Sequence, residues 1–177
     1  MSENKGDVFE IDVKAVTEDG TFSGYASVFN VKDSGRDIVM PGAFSNSLKS
    51  VQASKVKMLW QHDRTEPIGV WTKFEEDAHG LKATGKLILE TTKGREVHSL
   101  MKAGAVDGLS IGYRTVRDEM DRVKSARLLH EVDLREVSVV TFPMNSSSTI
   151  SSVKTDESAQ SIVDILTTAT SKIKETK

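Results

Sequence analysis

A single serine between two glycines is the strongest chemical signal in the sequence. The stretch from residue 107 to 113 reads Asp-Gly-Leu-Ser-Ile-Gly-Tyr and has the pattern of a β-strand. Because strand side chains alternate between two faces, Gly108, Ser110 and Gly112 share one face. A glycine inside a strand often marks the close approach of another backbone or of a ligand. Since neither glycine has a side chain, a peptide could reach the Ser110 hydroxyl. On this stretch alone, an incidental serine in a bulged strand is the favoured interpretation.

A serine nucleophile needs a base that removes its proton, and histidine is the usual choice. The chain has four histidines. His79 falls in a charged turn and His98 in a helix rich in charge, so both are expected at the surface. His62 and His130 lie at predicted strand ends beside polar breaks, where a histidine is more often a surface or core residue than a catalytic one. His62 is the candidate base, because a triad is defined by geometry and not by chain order.

The base in turn needs a third group that fixes its tautomer and orientation. If the hairpin that follows Ser110 turns near Met120, the residue opposite Ser110 lies at about 129–131. This geometry would bring His130 close to the nucleophile.

Glu136 is the second candidate for the orienting group. It is a carboxylate in a strand otherwise rich in Val and Leu, and a buried carboxylate is costly unless it is paired or hydrogen-bonded. An ion pair with Arg114 or Arg117 would explain Glu136 equally well. The pattern alone therefore leaves both candidates open.

The elements that must position these residues are mainly β-strands. Hydrophobic alternation predicts a central strand at 134–142, with apolar residues on both of its faces. An apolar i, i+3, i+4 stripe predicts a helix at 92–103, which Gly104 would cap, and residues 44–50 form at most a short helix. Many short strands favour a barrel or a sandwich. The other predicted strands are 8–13, 22–29, 56–60, 68–74, 80–89, 108–117 and 122–130.

The last part of the chain has a different composition. Residues 146–152 are nearly all Ser and Thr, which is typical of a flexible linker. Apolar residues then recur at helical spacing from Ala159 to Ile173. The sequence thus predicts a main domain at 1–145, a linker at 146–155 and a helical tail at 156–177.

The bulk properties exclude several classes of protein. With 177 residues and a mass of 19.4 kDa, one domain is expected. A net charge of -2 gives no basic surface for nucleic acid. The absence of cysteine excludes disulfides and thiolate metal sites, and no two histidines have a short ligand spacing. The first seven residues lack a signal-peptide core, and no apolar run approaches the about 20 residues of a membrane helix. We expect a soluble, intracellular protein.

Five short motifs occur in an order that resembles a known family. They are Gly-Tyr-Ala-Ser-Val-Phe at 24–29, Asp-Ile-Val-Met-Pro-Gly-Ala-Phe at 37–44, Trp-Gln-His-Asp at 60–63, Gly-Leu-Ser-Ile-Gly-Tyr at 108–113 and Glu-Val-Ser-Val-Val-Thr-Phe-Pro-Met-Asn at 136–145. The set is similar to the prohead maturation proteases of tailed bacteriophages, over about residues 8–146. That family is in turn similar to the herpesvirus assemblins.

The resemblance implies a fold and a set of roles. The fold would be a closed or nearly closed antiparallel β-barrel of about seven strands, flanked by helices. Ser110 would be the nucleophile, His62 the base and Glu136 the third member, where assemblins use a second histidine. No cofactor is implied.

The resemblance also implies substrates and a location. These would be the scaffold protein or the scaffold-like part of the major capsid protein, together with the protease itself. The protein would act in the host cytoplasm inside the assembling prohead, without nucleic acid or membrane as a partner. Homo-oligomerisation stays open.

Two other functions fit parts of the sequence. A non-enzymatic β-barrel module, such as a capsid scaffold or decoration protein, would leave Ser110 and His62 unconnected at the surface. An esterase would use the Gly-x-Ser-x-Gly spacing around Ser110 as a nucleophile elbow. An elbow requires a turn from strand to helix, whereas residues 113–117 are predicted to continue the strand.

Overall fold

The computed structural model describes residues 16–151, which are mainly β. The elements follow in the order β1 Thr21–Val28, β2 Asp37–Val39, α1 Ser45–Ser50, β3 Lys57–Trp60, β4 Asp63–Glu76, β5 Gly80–Leu87, α2 Thr92–Lys102, β6 Gly108–Asp121, β7 Ala126–Val140 and β8 Ile150–Ser151, with a 3-10 turn at Ala53–Lys55 between α1 and β3. The predicted strand at 8–13 and the predicted tail at 156–177 lie outside the described residues.

The strands form one sheet that is mixed and open. Its order is β2-β7-β3-β4-β5-β1-β8, and β6 pairs with β7 beside this path. Both β2 and β3 run parallel to β7, whereas the other pairs are antiparallel. In residues 16–151, β6 is joined to the chain before β8 only by an isolated bridge between Gly108 and Thr149. The mainly β fold is confirmed, but the expected closed or nearly closed antiparallel barrel is wrong in its closure and in its strand directions. Alternation predicts which residues form strands but not which strands pair.

Strand β7 is the centre of this arrangement. It is one strand of 15 residues, where the sequence predicted two strands at 122–130 and 134–142. Bulges in its pairing with β6 let the strand continue where the alternation of apolar and polar residues is interrupted. The predicted burial on both faces is confirmed, since Leu134, Val137, Val139 and Val140 are all buried.

The register of the β6–β7 hairpin decides what faces the candidate nucleophile. The turn lies between the paired residues Asp121 and Ala126. Ser110 consequently pairs with Ser138, and Gly112 pairs with Glu136. The expectation that a residue near His130 lies opposite Ser110 is wrong, because the strands continue past Met120 and bulges shift their register.

Helix α2 packs on the sheet through the predicted apolar stripe. Val97 and Met101 are buried, and Leu100 lies at the border with 38% exposure. The side chain of Thr91 caps the helix by accepting a hydrogen bond from the Gly94 N–H at 3.0 Å. Gly104 follows the last turn with a φ of +69°, a conformation that favours glycine.

The first residues of the predicted linker pack against the sheet. Ser148 is fully buried and Ile150 is 5% exposed. Ile150 and Ser151 pair with Gly24 and Ser23 of β1. The rest of the predicted linker lies outside the described residues, and the division into domain, linker and tail stays a prediction.

Two kinds of feature are missing from residues 16–151. No helix there has both the length and the apolar character that would let it cross a bilayer. No cluster of three or more His, Cys, Asp or Glu side chains in this part of the chain could hold a metal ion.

Candidate active site

His62 lies in a tight two-residue turn between β3 and β4. Trp60 pairs with Asp63, and the two residues between them, Gln61 and His62, have φ values of +53° and +62°. Positive φ at both central residues is typical of a type I′ hairpin turn, which usually contains Asn and Gly. Each non-glycine residue in this region costs about 1–3 kcal/mol, and such strain concentrates at functional sites. The turn, and not the alternation of β3, therefore sets the direction of the His62 ring.

Gln61 connects this turn to the end of β7 by hydrogen bonds. Its backbone N–H donates to the Val139 carbonyl at 3.0 Å. Its side-chain amide donates to the Thr141 hydroxyl at 2.7 Å, and its amide oxygen accepts from the Thr141 N–H at 3.3 Å. These bonds offset part of the backbone strain and hold the histidine against β7.

The imidazole of His62 is paired with the carboxylate of Glu136. The distance between His62 Nδ1 and Glu136 Oε1 is 2.6 Å, and the two side chains are 42% and 15% exposed. This hydrogen bond raises the pKa of His62 above its ordinary value of 6.5, against the opposing effect of burial. The bond also directs Nε2, the other ring nitrogen, away from Glu136, where it is available to exchange a proton.

Ser138 completes the hydrogen bonding of this pair. Its hydroxyl donates to Glu136 Oε2 at 2.7 Å and accepts from the backbone N–H of His62 at 3.2 Å. Ser138 is fully buried, so neither bond competes with bulk water. One hydroxyl thus fixes both the carboxylate and the backbone of the candidate base.

Gly112 makes room for the carboxylate. It pairs with Glu136 across the hairpin, and a Cβ atom added at Gly112 would collide with Glu136 Oε1. The group that approaches Gly112 closely is thus the side chain of Glu136, whereas a backbone or a ligand was expected. A side chain at position 112 would therefore displace Glu136 from His62.

Ser110 lies next to this network on the same face of the hairpin. Its cross-strand partner is Ser138, and side chains at paired positions lie about 4.5–5.5 Å apart at Cβ. Ser110 is 4% exposed and lines a cavity of about 300 Å³. No hydrogen bond joins Ser110 to His62 within residues 16–151. Catalytic hydrogen bonds are often long in unliganded sites and tighten when substrate binds.

A second opening lies on the His62 side. This cleft, of about 570 Å³, is lined by His62 and Glu136 and by the cations Lys57, Arg64 and Arg135. Gly112 and Tyr113 line both openings. The three candidate residues therefore sit where two clefts meet, which suits a peptide that runs across both.

The alternative partners considered for this site lie elsewhere. His130 Nε2 is 3.7 Å from Glu119 Oε2 and has no hydrogen bond. Arg114 pairs with Asp133 at 3.5 Å, so an ion pair between Glu136 and Arg114 does not account for the carboxylate. In the described residues no ion pair joins Glu136 to Arg117 either.

Three residues that support the site are not among those predicted from the sequence: Ser138, Gln61 and Thr141. Ser138 stands two positions after Glu136, so strand alternation places both on one face, and this spacing could have revealed it. Gln61 and Thr141 gave no such signal, because their contact depends on the parallel pairing of β3 with β7.

The chain matches a known protein family over most of its length. The family model described as the caudovirus prohead serine protease matches residues 9–161. The chain is 36% identical over 161 residues to the prohead protease of Enterobacteria phage HK97. The aligned residues cover 90% of this chain and 71% of that protein.

Two solved structures share the fold. The capsid assembly protease of bacteriophage T4 matches with a TM-score of 0.57 and 12% identity, over 68% of this chain and 80% of that one. The protease of KSHV, solved with a hexapeptide phosphonate inhibitor, matches with a TM-score of 0.52 and 13% identity. This match covers 73% of this chain and 63% of the KSHV protease chain. The expected likeness to herpesvirus proteases is thereby confirmed at the level of the fold. By the family match and its identity to the HK97 protein, the chain belongs to the caudovirus prohead serine proteases and is a protease of capsid maturation.

Proposed function

We propose that the chain is a serine endopeptidase in which Ser110, His62 and Glu136 form the catalytic triad. The observation that carries the proposal is the 2.6 Å bond between His62 Nδ1 and Glu136 Oε1. It leaves Nε2 as the proton acceptor, and the hairpin register pairs Ser110 with Ser138, whose hydroxyl donates to Glu136. This is the arrangement in which a carboxylate orients the base and stabilises the imidazolium that forms.

The proposed reaction has two halves. Ser110 Oγ attacks the peptide carbonyl carbon while its proton passes to His62 Nε2, and the tetrahedral intermediate forms. The C–N bond then breaks as His62 returns the proton to the leaving amine, which leaves an acyl ester on Ser110. A water molecule gives its proton to His62 and attacks the ester, and Ser110 is released with its proton restored. Glu136 remains a carboxylate throughout.

The proposed substrates are proteins of the immature capsid. Family membership supports the scaffold, or the scaffold-like part of the major capsid protein, as the substrate inside the assembling prohead. The protease itself is a further proposed substrate. No cofactor takes part in the proposed reaction, since Ser110 and His62 carry out its proton transfers while Glu136 orients the base.

Ser110→Ala tests the assignment of the nucleophile. The variant is expected to fold normally and to leave the co-expressed capsid precursor uncut, because loss of a triad member removes several orders of magnitude of rate. The readout is a gel of the precursor together with its intact mass.

Ser23→Ala is the matched control for this substitution. Ser23 is also a buried strand serine, with 6% exposure, and its hydroxyl has no hydrogen bond within the described residues. This variant is expected to cut at the wild-type rate. Normal processing by Ser110→Ala would refute the proposed triad.

A further inference from the structure

We propose that the cavity beside Ser110 is a subsite for a Lys or Arg side chain that flanks the scissile bond, with Asp33 as its anionic contact. The inference rests on the proposed function, because it takes Ser110 as the nucleophile. Ser110 lines this cavity, so the cavity lies beside the bond that Ser110 attacks. The substrate side chain that enters it therefore belongs to a residue that flanks this bond. The chemistry of the cavity therefore determines which bonds the enzyme selects.

The walls of this cavity suit a long aliphatic stem. At about 300 Å³, the cavity is at the small end of the about 300–1,000 Å³ range of ligand pockets. That size fits one side chain better than a larger ligand. Lys and Arg bury their methylene stems along apolar surface and keep the charged end near polar groups. The apolar part of the wall is formed by Val31, Val39, Leu109, Ile111 and Met144.

Two carboxylates line the cavity, and only one of them is neutralised. Asp37 accepts hydrogen bonds from Arg127 Nε at 2.9 Å and Nη2 at 2.6 Å, and from the Tyr113 hydroxyl at 2.8 Å. The bonds from Arg127 lower the pKa of Asp37 most. Asp37 is therefore a structural group with little remaining capacity for a substrate cation.

Asp33 has that capacity. Its Oδ1 accepts the backbone N–H of Asp37 at 2.8 Å, and no Lys or Arg of the described residues forms an ion pair with it. Burial raises the pKa of Asp33 most and the charge of Asp37 adds to this, against the lowering effects of backbone hydrogen bonds and of the more distant Arg127. A substrate cation would offset both of the raising effects, since an opposite charge favours the ionised carboxylate.

The neighbouring cleft has the opposite charge. The cations Lys57, Arg64 and Arg135 line the opening on the His62 side, whereas no Lys or Arg lines the cavity beside Ser110. A basic substrate side chain is therefore attracted to the Ser110 side of the site and repelled from the other. This contrast would also fix the direction in which a peptide lies across Gly112 and Tyr113.

Asp33→Asn tests the inference with little disturbance of the fold. The asparagine oxygen keeps an acceptor for the Asp37 N–H, and only the charge is lost. Glu90→Gln is the matched control, because it removes one negative charge from an exposed position away from the cavity. Wild type and both variants are incubated with synthetic peptides of mixed sequence, and the cut bonds are mapped by mass spectrometry. Ser110→Ala identifies any contaminating cleavage.

The expected result is that Lys and Arg are enriched at one position that flanks the bonds cut by the wild type. Asp33→Asn should cut those bonds at least tenfold more slowly, because a charge-assisted hydrogen bond is lost, and should cut bonds flanked by Met or Leu at the wild-type rate. Glu90→Gln should match the wild type. Ser110-dependent cleavage without basic enrichment, or with an unchanged profile in Asp33→Asn, would overturn the subsite and leave the proposed function intact. Peptides that stay uncut by the wild type would count against the proposed function and against the subsite with it.

Discussion

At the scale of single residues, the bond between His62 and Glu136 should set the pH range in which the proposed triad works. His62 accepts a proton only when its ring is neutral, and Glu136 raises its pKa above 6.5. Cleavage should therefore increase with pH through a midpoint above 6.5. In Glu136→Gln the charge is lost, so the midpoint should move to lower pH while the maximal rate falls by on the order of 10³–10⁴. Initial rates of precursor cleavage from pH 5 to 9 measure both effects.

His130→Gln is the control for this experiment. His130 contacts Glu119 and not His62 or Glu136, so both the midpoint and the rate should stay close to those of the wild type. Circular dichroism verifies that each variant is folded. A severe loss in His130→Gln together with a mild one in Glu136→Gln would reverse the assignment of the orienting group.

The sequence was informative about these residues to different degrees. The glycines beside Ser110 and the carboxylate in an apolar strand each broke the local pattern, and Gly112 and Glu136 both line the candidate site. The choice between Glu136 and His130 could not be made from the pattern. It depends on where the β6–β7 hairpin turns, which is between Asp121 and Ala126 and not near Met120, and hydrophobic alternation does not mark that position.

At the scale of elements, the turn between β3 and β4 holds the candidate base in place. Gln61→Ala removes both side-chain hydrogen bonds to Thr141 but keeps the backbone strain. We expect the free energy of unfolding to fall by about 1 kcal/mol and the cleavage rate to fall about tenfold, because the histidine loses its fixed position. Urea denaturation and the rate on the capsid precursor give the two numbers.

Gln52→Ala is the corresponding control. Gln52 is an exposed glutamine whose side chain does not cap the 3-10 turn that follows it. Its substitution should change neither quantity. If Gln61→Ala is as active as Gln52→Ala, the turn does not depend on Gln61 for its position.

The elements were predicted better than their partners. Alternation identified most strands, and the apolar stripe identified α2, because both signals are local. The strained turn was not predicted, since Gln and His are not the residues that a type I′ turn prefers. The parallel pairing of β3 with β7 is a long-range contact that no local pattern encodes.

At the scale of the whole molecule, the end of the described chain bears on self-cleavage. Ser148 is buried and Ile150 pairs with β1, so a protease has poor access to the chain before residue 151. We expect active protein to lose its tail by a cut after Ser151, within or near the Ser/Thr-rich stretch. Intact mass spectrometry should show the shortened chain in the wild type and the full 177 residues in Ser110→Ala. An active enzyme that keeps its full mass would contradict self-removal of the tail.

The open sheet shows why the overall shape was harder to predict than its parts. The number and length of the strands suggested a barrel, and the chain does have eight strands between residues 16 and 151. Closure would require β6 to pair with β8 along its length. Within residues 16–151, the only pairing between β6 and the segment that leads into β8 is the single bridge from Gly108 to Thr149.

The central claim is that the site activates Ser110 as a nucleophile. Labelling with a fluorophosphonate tests it most directly, because the probe bonds covalently to an activated serine oxygen and releases fluoride. The chain has 20 serines, so peptide mapping of the labelled protein distinguishes an adduct on Ser110 from an adduct on any of the other serines. We predict a single adduct on Ser110 in the wild type, none in Ser110→Ala, and much slower labelling in Glu136→Gln. An adduct on another serine, or labelling of Ser110→Ala at the wild-type rate, would contradict the account.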